Sequence, residues 1–407
     1  MTIPYIKISK AKKQVLLLYG ASVVGVVLGI LNSIVNTRSL TPSEYGDYRY
    51  VQNIIDFITS LLLFGYFTSG SRMLALSKSE EHARGIRGAM CFILGIAIGI
   101  LMLVMFLLGF TIKASSGSNL FFLAIPVCGY SLMLNYINTI GQGDNHIGRI
   151  SLARLLPPGL YCVVAFFVYR YWGASSSKML LLYDGIGIAI YSALILSTKP
   201  KFSNIKQSLS ALYEENKKYG FNVYLGSLVA VSTQYIAGIS LGKFCFDNSN
   251  VGFYTLSATM AAPLSMLPMI IGTTFFKRFA SQARIEKKVL SLSFASTIGS
   301  CIVFILLIKY VVAFLYDENY TSVGLYASLL AVATSINGLG DLFNRFLGSH
   351  GQGRSIRNSA FACGIMTVIG NILFVYLWGI NGAIVTRILA AIIYFLFMYL
   401  SYRSYIN

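Results

Sequence analysis

The chain is dominated by long uninterrupted apolar runs separated by short polar segments. Twelve runs are about the length that a helix needs to cross a hydrocarbon core. Six fall at 15–36, 51–70, 89–111, 119–141, 153–171 and 179–197. Six more fall at 221–243, 251–272, 289–316, 322–346, 359–378 and 383–401. They lack the alternation of a membrane β-barrel, and an open sheet edge cannot be satisfied in lipid, so the pattern predicts helices. The expected fold is all-α and integral to the membrane, with about twelve transmembrane helices in two six-helix lobes around a central cavity.

The polar segments set the expected topology. Of the 32 Lys and Arg residues, eight (Arg38, Arg49, Lys113, Arg170, Lys178, Lys243, Lys309 and Arg387) lie on or near one side, and the other 24 on the opposite side. Positive residues concentrate in cytoplasmic loops, so both termini are expected in the cytoplasm. The first run shows no small-x-small cleavage pattern and reads as a retained signal anchor. The longest loop, about 198–219, carries five lysines and reads as a cytoplasmic linker. It divides the chain into an N-terminal lobe, 1–206, and a C-terminal lobe, 207–407.

The halves repeat one another. Tyr19-Gly20 matches Tyr219-Gly220, and Tyr45-Gly46 matches Val251-Gly252. Ser71-Arg72-Met73 matches Lys277-Arg278-Phe279, and Gly141-Gln142-Gly143 matches Gly351-Gln352-Gly353. Six helices per half makes the halves insert the same way up. That is the parallel-repeat plan of transporters, with a substrate site where the repeats meet.

Composition narrows the chemistry. Hydrophobic residues make up 56% and charged residues 11%, and mean hydropathy is +0.69. No polar stretch is long enough for a soluble domain. The net charge of +18 follows from the loop bias, so no nucleic-acid partner is expected. Cys91, Cys128, Cys162, Cys245, Cys301 and Cys363 are scattered singly through apolar runs and indicate neither zinc nor a disulfide framework. His82, His146 and His350 lie in loops. No P-loop and no GxSxG elbow is present. No cofactor, metal or enzymatic activity is expected. Gly141/Gly143 and Gly351/Gly353 read as tight turns after helix ends.

Ionisable groups within spans are costly and usually face a protein interior or water. The candidates are Asp56, Asp184, Asp341, Arg154, Arg345 and Arg387. Asp341 and Arg345 stand four apart on one helical face and read either as lumen groups or as a structural ion pair. Asp56 reads either as a coupling carboxylate or as a neutral buried group. Arg38, Arg49 and Arg170 suit snorkelling to headgroups. Pro126, Pro157-Pro158, Pro263 and Pro268 interrupt spans as hinges or static kinks.

The stretch Arg38-Ser39-Leu40-Thr41-Pro42-Ser43-Glu44-Tyr45-Gly46-Asp47-Tyr48 resembles the R-x-L-x-P-x-E-[FY]-G-x-Y signature of polysaccharide biosynthesis proteins. These include the Wzx-type O-antigen flippases of the multidrug/oligosaccharidyl-lipid/polysaccharide exporter superfamily. The resemblance implies a substrate, an undecaprenyl-pyrophosphate-linked oligosaccharide carried from the cytoplasmic to the periplasmic leaflet of the bacterial inner membrane. It also implies membrane lipids, an O-antigen polymerase and a chain-length regulator as partners. An anionic pyrophosphate in low dielectric calls for cations. Arg154, Arg345 and Arg387 are the candidates along its path, with Arg72 and Arg278 as an entrance pair. Asp56, Asp341 and Asp184 are the candidates for ion coupling. A multidrug or cation antiporter of the same superfamily is the alternative. An O-antigen polymerase is disfavoured because the longest external loop, 37–50, is short.

Overall fold

The computed structural model describes residues 10–77, 79–111 and 120–406. Among these the regular elements are helical. The chain runs α1 (Lys10–Thr37), α2 (Pro42–Leu62), α3 (Tyr66–Leu76), α4 (Glu80–Thr111), α5 (Leu120–Ala124), α6 (Tyr130–Gly143), α7 (Ile147–Trp172) and α8 (Ser176–Ser197). It continues with α9 (Ile205–Glu215), α10 (Phe221–Phe244), α11 (Ser249–Ala261), α12 (Pro263–Phe279), α13 (Lys287–Leu315), α14 (Ser322–Ser349), α15 (Gly353–Trp378) and α16 (Ile380–Ile406). Eight stretches among the described residues are long and apolar enough to cross a membrane, and α2 with α3 adds a bent ninth. Every predicted apolar run is helical over most of its described length.

The chain divides into two compact units. One comprises residues 1–39 and 58–225, the other 40–57 and 226–407. Helix α2 thus contributes its first part to the second unit.

In the first unit α1 packs on α7, α7 on α8, and α3 on α4 and α6. Asn32 donates to the carbonyl of Pro158 at 3.0 Å, tying α1 to the proline pair of α7. Tyr161 donates to Asn36 at 2.5 Å and lies 2.9 Å from the hydroxyl of Tyr169. Three buried polar groups thereby satisfy one another between apolar helices.

Two predicted spans are broken, and a third, 251–272, is divided at residue 262 between α11 and α12 while remaining one span. The run 51–70 begins its helix earlier, at Pro42, and stops at Leu62. Phe64 (φ 44°) and Gly65 (φ 81°) then take positive φ, and α3 leaves at 58° to α2. A break in low dielectric must have its carbonyls satisfied. Asn216 donates to the Phe64 carbonyl at 3.1 Å and Tyr224 to the Leu61 carbonyl at 2.9 Å. The run 119–141 breaks around Pro126, where turns at 125–129 separate α5 from α6. Pro157-Pro158, by contrast, stay inside a continuous α7.

The segment read as a linker is largely helical. α9 packs on α3 and α4 with Leu212 buried, and a π-helical turn, Asn216–Gly220, follows. The glycines expected as turns after the fourth run also differ. Gly141 and Gly143 lie in the last turn of α6, and Asn145 (φ 55°) makes the reversal. Those glycines are needed for proximity: a Cβ on Gly143 would sit 2.6 Å from the Ser71 carbonyl oxygen. Gly351 (φ 70°) does form the expected turn.

The second unit is organised around α14, against which α11, α12, α13, α15 and α16 all pack. Its most apolar stretch is 61% buried, against 11% for α13. Small residues make this possible. A Cβ on Gly338 would lie 3.1 Å from the Ser265 Cα of α12, and one on Gly340 would lie 2.7 Å from the Tyr394 ring of α16. At the basic end of α14, Leu342, Phe343, Phe346 and Leu347 pack with Phe279, Met398 and Tyr402.

The signature stretch starts α2 and packs within this unit. The side chain of Glu44 bonds Thr41 through both backbone and hydroxyl, at 3.0 and 2.9 Å, a capping arrangement at the helix start. Asn248 donates to the buried Asp47 carboxylate at 2.8 Å, and Tyr320 donates to the Leu40 carbonyl at 2.9 Å. Gly46 and Gly252, paired by the repeat, both sit at this contact. A Cβ on Gly46 would lie 1.8 Å from the Asn248 carbonyl oxygen, and one on Gly252 would lie 3.0 Å from that of Pro42.

Candidate functional site

In the second unit a polar face runs along α14 and α16. Tyr394 donates to the Asp341 carboxylate at 2.7 Å and accepts from the Asn344 amide at 2.8 Å. Asp341 is half-buried, whereas Arg345, one turn away, is exposed. The aliphatic stem of Arg345 lies over Gly272 of α12, with its Cγ 3.0 Å from where a Cβ would stand. The short contact to Asp341 therefore comes from a phenol. Arg387 is half-buried on α16. It sits seven residues before Tyr394, hence on the same helix face and about 10 Å further along the axis. It lies within electrostatic reach of Tyr254 on α11 and Cys363 on α15.

Tyr254 connects this face to a pocket of about 280 Å³ formed by α2, α10 and α11. Its polar lining is neutral: Asn53, Gln234, Tyr254, Thr255 and Thr259. Gly238 makes room for Asn53, whose amide nitrogen would be 2.2 Å from a Cβ at that position. Asp56 is three residues beyond Asn53 on α2 and within electrostatic reach of Tyr235 on α10. The second unit thus holds Asp56, Asp341, Arg345 and Arg387, together with the amides and hydroxyls of the Tyr254 pocket. Sequence reasoning passed over Asn53, Gln234, Thr255 and Thr259 because they are uncharged. The one available signal was the small polar stripe Thr255, Ala258, Thr259, Ala262 at helical spacing.

In the first unit Arg154 is exposed on α7. Asp184 is fully buried on α8, within electrostatic reach of Cys128 and Tyr191. Arg72 pairs with Glu215 at 2.5 Å and lies over the Tyr219 ring at 4.8 Å. In the second unit its repeat counterpart, Arg278, pairs with Glu286 at 2.5 Å and lies near the Phe275 ring at 5.9 Å. Each guanidinium of the expected entrance pair therefore shares its charge with a carboxylate and rests on an aromatic ring. Arg49, expected to snorkel, lies 5.2 and 5.6 Å from the Tyr45 and Tyr48 rings, and its Nε donates to the Tyr45 hydroxyl at 2.9 Å.

A buried charge cluster appears where the sequence suggested only loop charges. Arg87, with 8% of its side chain exposed, bridges Asp144 at 3.0 Å and Glu80 at 2.7 Å. It also donates to the Thr198 carbonyl at 3.1 Å. Arg149 stands 3.6 Å from Asp144. The cluster fastens the basic ends of α4, α6, α7 and α8. His350 is likewise structural, with its ring nitrogens 2.9 Å from the Phe346 carbonyl and 3.1 Å from that of Gln282. No grouping of metal-ligating side chains occurs among the described residues.

Apolar helices of membrane-spanning length, a hub helix packed through glycine and alanine, and half-buried charges on the hub and on α16 define a multi-pass helical membrane protein with a transporter fold. A family model described as "Polysaccharide biosynthesis protein" matches residues 11–281, and the chain belongs to that family. The fold is similar to that of the lipid II flippase MurJ in an inward closed conformation, with 13% identity and a TM-score of 0.73 over 95% of this chain and 87% of that one. It is also similar to an inward-facing multidrug resistance MATE family transporter of the MOP superfamily, with 15% identity and a TM-score of 0.69 over 94% and 95%. The MATE multidrug transporter DinF-BH aligns at 16% identity and a TM-score of 0.61, covering 95% of both chains. No curated protein matches by sequence.

Proposed function

We propose that the protein is a flippase that moves an undecaprenyl-pyrophosphate-linked oligosaccharide from the cytoplasmic to the periplasmic leaflet of the bacterial inner membrane by alternating access. The termini are on the cytoplasmic side, and the sequence halves 1–206 and 207–407 act as the two lobes. The observation that carries this reading is the family match over 11–281 on a fold shared with a lipid-linked-substrate flippase. Arg387 and Arg345 offset the cost of a pyrophosphate in low dielectric. The amides and hydroxyls around Tyr254 offer donors and acceptors to sugar hydroxyls. Arg154 contributes from the first unit. Arg72 and Arg278 attract the anion at the entrance but, each being paired with a carboxylate, bind it weakly.

Gene deletion tests the reading. Lipid-linked repeat units should accumulate on the cytoplasmic face, and surface polysaccharide should disappear. Surface polysaccharide at the parental level in the deletion strain would overturn it.

A second reading, antiport of organic cations, is favoured by one observation, the half-buried Asp341 carboxylate held by Tyr394. Transport assays with the unsubstituted protein separate the two. A flippase moves lipid-linked saccharide and leaves organic cations untouched, whereas an antiporter extrudes organic cations and loses that efflux with Asp341→Asn.

A further inference from the structure

After Leu62 the chain bends by 58° into α3. Phe92, Ile96 and Ile100, spaced at one turn along α4, are 43–51% exposed. They line a groove of about 400 Å³, closed on its other side by Leu209 and Tyr213 of α9 and at the break by Phe64 and Tyr66. Its lining is almost wholly apolar.

The same two helices form a second, polar pocket of about 360 Å³ nearer their N-termini. It is lined by His82, Lys201, Ser203, Asn204, Gln207 and Ser208, together with Glu81. Gly85 lies at this pocket and Phe92 in the groove, seven residues or about 10 Å apart along α4. That spacing separates a headgroup from the start of its chain.

The charge around the polar pocket is positive. Lys201 pairs with Glu81 at 2.6 Å, and the charge of Glu80 is taken up by Arg87. Arg84, whose Nε donates to the Lys199 carbonyl, is only half-buried, and Lys206 is exposed. Lys199 adds a further cation. Both helices also direct the positive ends of their dipoles toward this pocket. α9 itself has the character of an interfacial amphipathic helix, with a polar face and an apolar one.

We infer that the α4–α9 seam is a binding site for one anionic glycerophospholipid of the surrounding bilayer, with its phosphate headgroup in the His82–Lys201–Gln207 pocket and one acyl chain in the Phe92–Tyr213 groove. This lipid is a resident of the first unit, distinct from the transported substrate, and the inference is independent of what the protein transports.

The test uses the full chain reconstituted in vesicles, with Trp172→Phe and Trp378→Phe to remove the native tryptophans and Phe92→Trp as a reporter in the groove. Phosphatidylglycerol with brominated chains should quench this reporter with an apparent affinity about fivefold above brominated phosphatidylcholine, the preference that one lysine near an anionic headgroup supplies. Lys206→Gln with Lys201→Gln should abolish the preference. A control reporter on the outer face of α13, Leu307→Trp, should respond equally to both lipids. Native mass spectrometry of the unsubstituted protein should show one phosphatidylglycerol retained after detergent exchange. Equal quenching of the groove reporter by the two lipids overturns the inference. So does a preference that survives the double lysine substitution, or displacement of the phosphatidylglycerol by stoichiometric polyprenyl phosphate.

Discussion

Not every arginine near the membrane is equivalent, and the structure ranks them by their partners. Arg72 and Arg278 spend part of their charge on Glu215 and Glu286 and are about half exposed, so solvent screens what remains. Arg387 is half-buried and within reach of a phenol and a thiol. Arg345 is exposed, with its stem resting over Gly272. Loss of a charge-assisted contact to a buried anion costs about 1.5–3 kcal/mol. Arg345→Gln and Arg387→Gln should therefore each cut saccharide export by roughly one to two orders of magnitude, measured as substrate translocated in proteoliposomes. Exposed ion pairs contribute about 0–1 kcal/mol, so Arg72→Gln and Arg278→Gln should each cost less than roughly fivefold. Equal losses in all four variants would count against a graded cationic path. The charged candidates were readable from sequence because an ion in an apolar run stands out. Asn53, Gln234 and Thr259 were not, because amides and hydroxyls are common in helices and only the fold brings these three to one pocket.

The elements show where apolar patterning stops being informative. Long helices such as α4, α13, α15 and α16 follow their hydrophobic runs to within a few residues, except where they extend into polar flanks. The α2–α3 break is different. Residues 51–70 read as one run because Leu62, Leu63 and Phe64 are all apolar. What breaks them is distant in sequence: Asn216 and Tyr224 satisfy the freed carbonyls, and Gly220 approaches Gly65 closely. The same distance hides α9, whose alternation of lysine and serine with Ile205, Leu209 and Leu212 looks like a linker until α4 is placed beside it. The break predicts two outcomes. Gly65→Ala puts a Cβ 2.3 Å from the Gly220 carbonyl oxygen at a φ of 81°, so it should lower stability by about 1–3 kcal/mol. Asn216→Ala removes the donor to Phe64 and the acceptor for Ser69, and should cost a similar amount. Thermal unfolding in detergent, followed by size-exclusion chromatography, measures both. Melting temperatures at the parental value would mean that the break holds itself.

At the scale of the whole molecule, two kinds of charged group must be kept apart: those that hold a unit together and those that serve passage. The Arg87–Asp144 cluster belongs to the first kind. Removing one partner of a buried pair leaves an uncompensated charge and costs about 3–5 kcal/mol. Arg87→Met should therefore reduce the amount of folded protein, and Arg87→Met with Asp144→Asn should recover much of it.

Residues of the second kind should change their exposure to water during transport without affecting folding. In a chain whose six native cysteines are replaced by alanine or serine, single cysteines at Arg154, Asp341, Arg345 and Arg387 report this directly. A membrane-impermeant thiol reagent should reach each position from one side in the resting protein. For Arg345 and Arg387 it should also reach them from the opposite side once lipid-linked saccharide is supplied. Cysteines at Leu101 and Ile137, both fully buried within the first unit, should stay unlabelled throughout. Alternating access requires that difference between the two sets. If the α14 and α16 positions are labelled from one face only, in every condition that supports export, the charged face along those helices is scaffold, and the substrate travels another way.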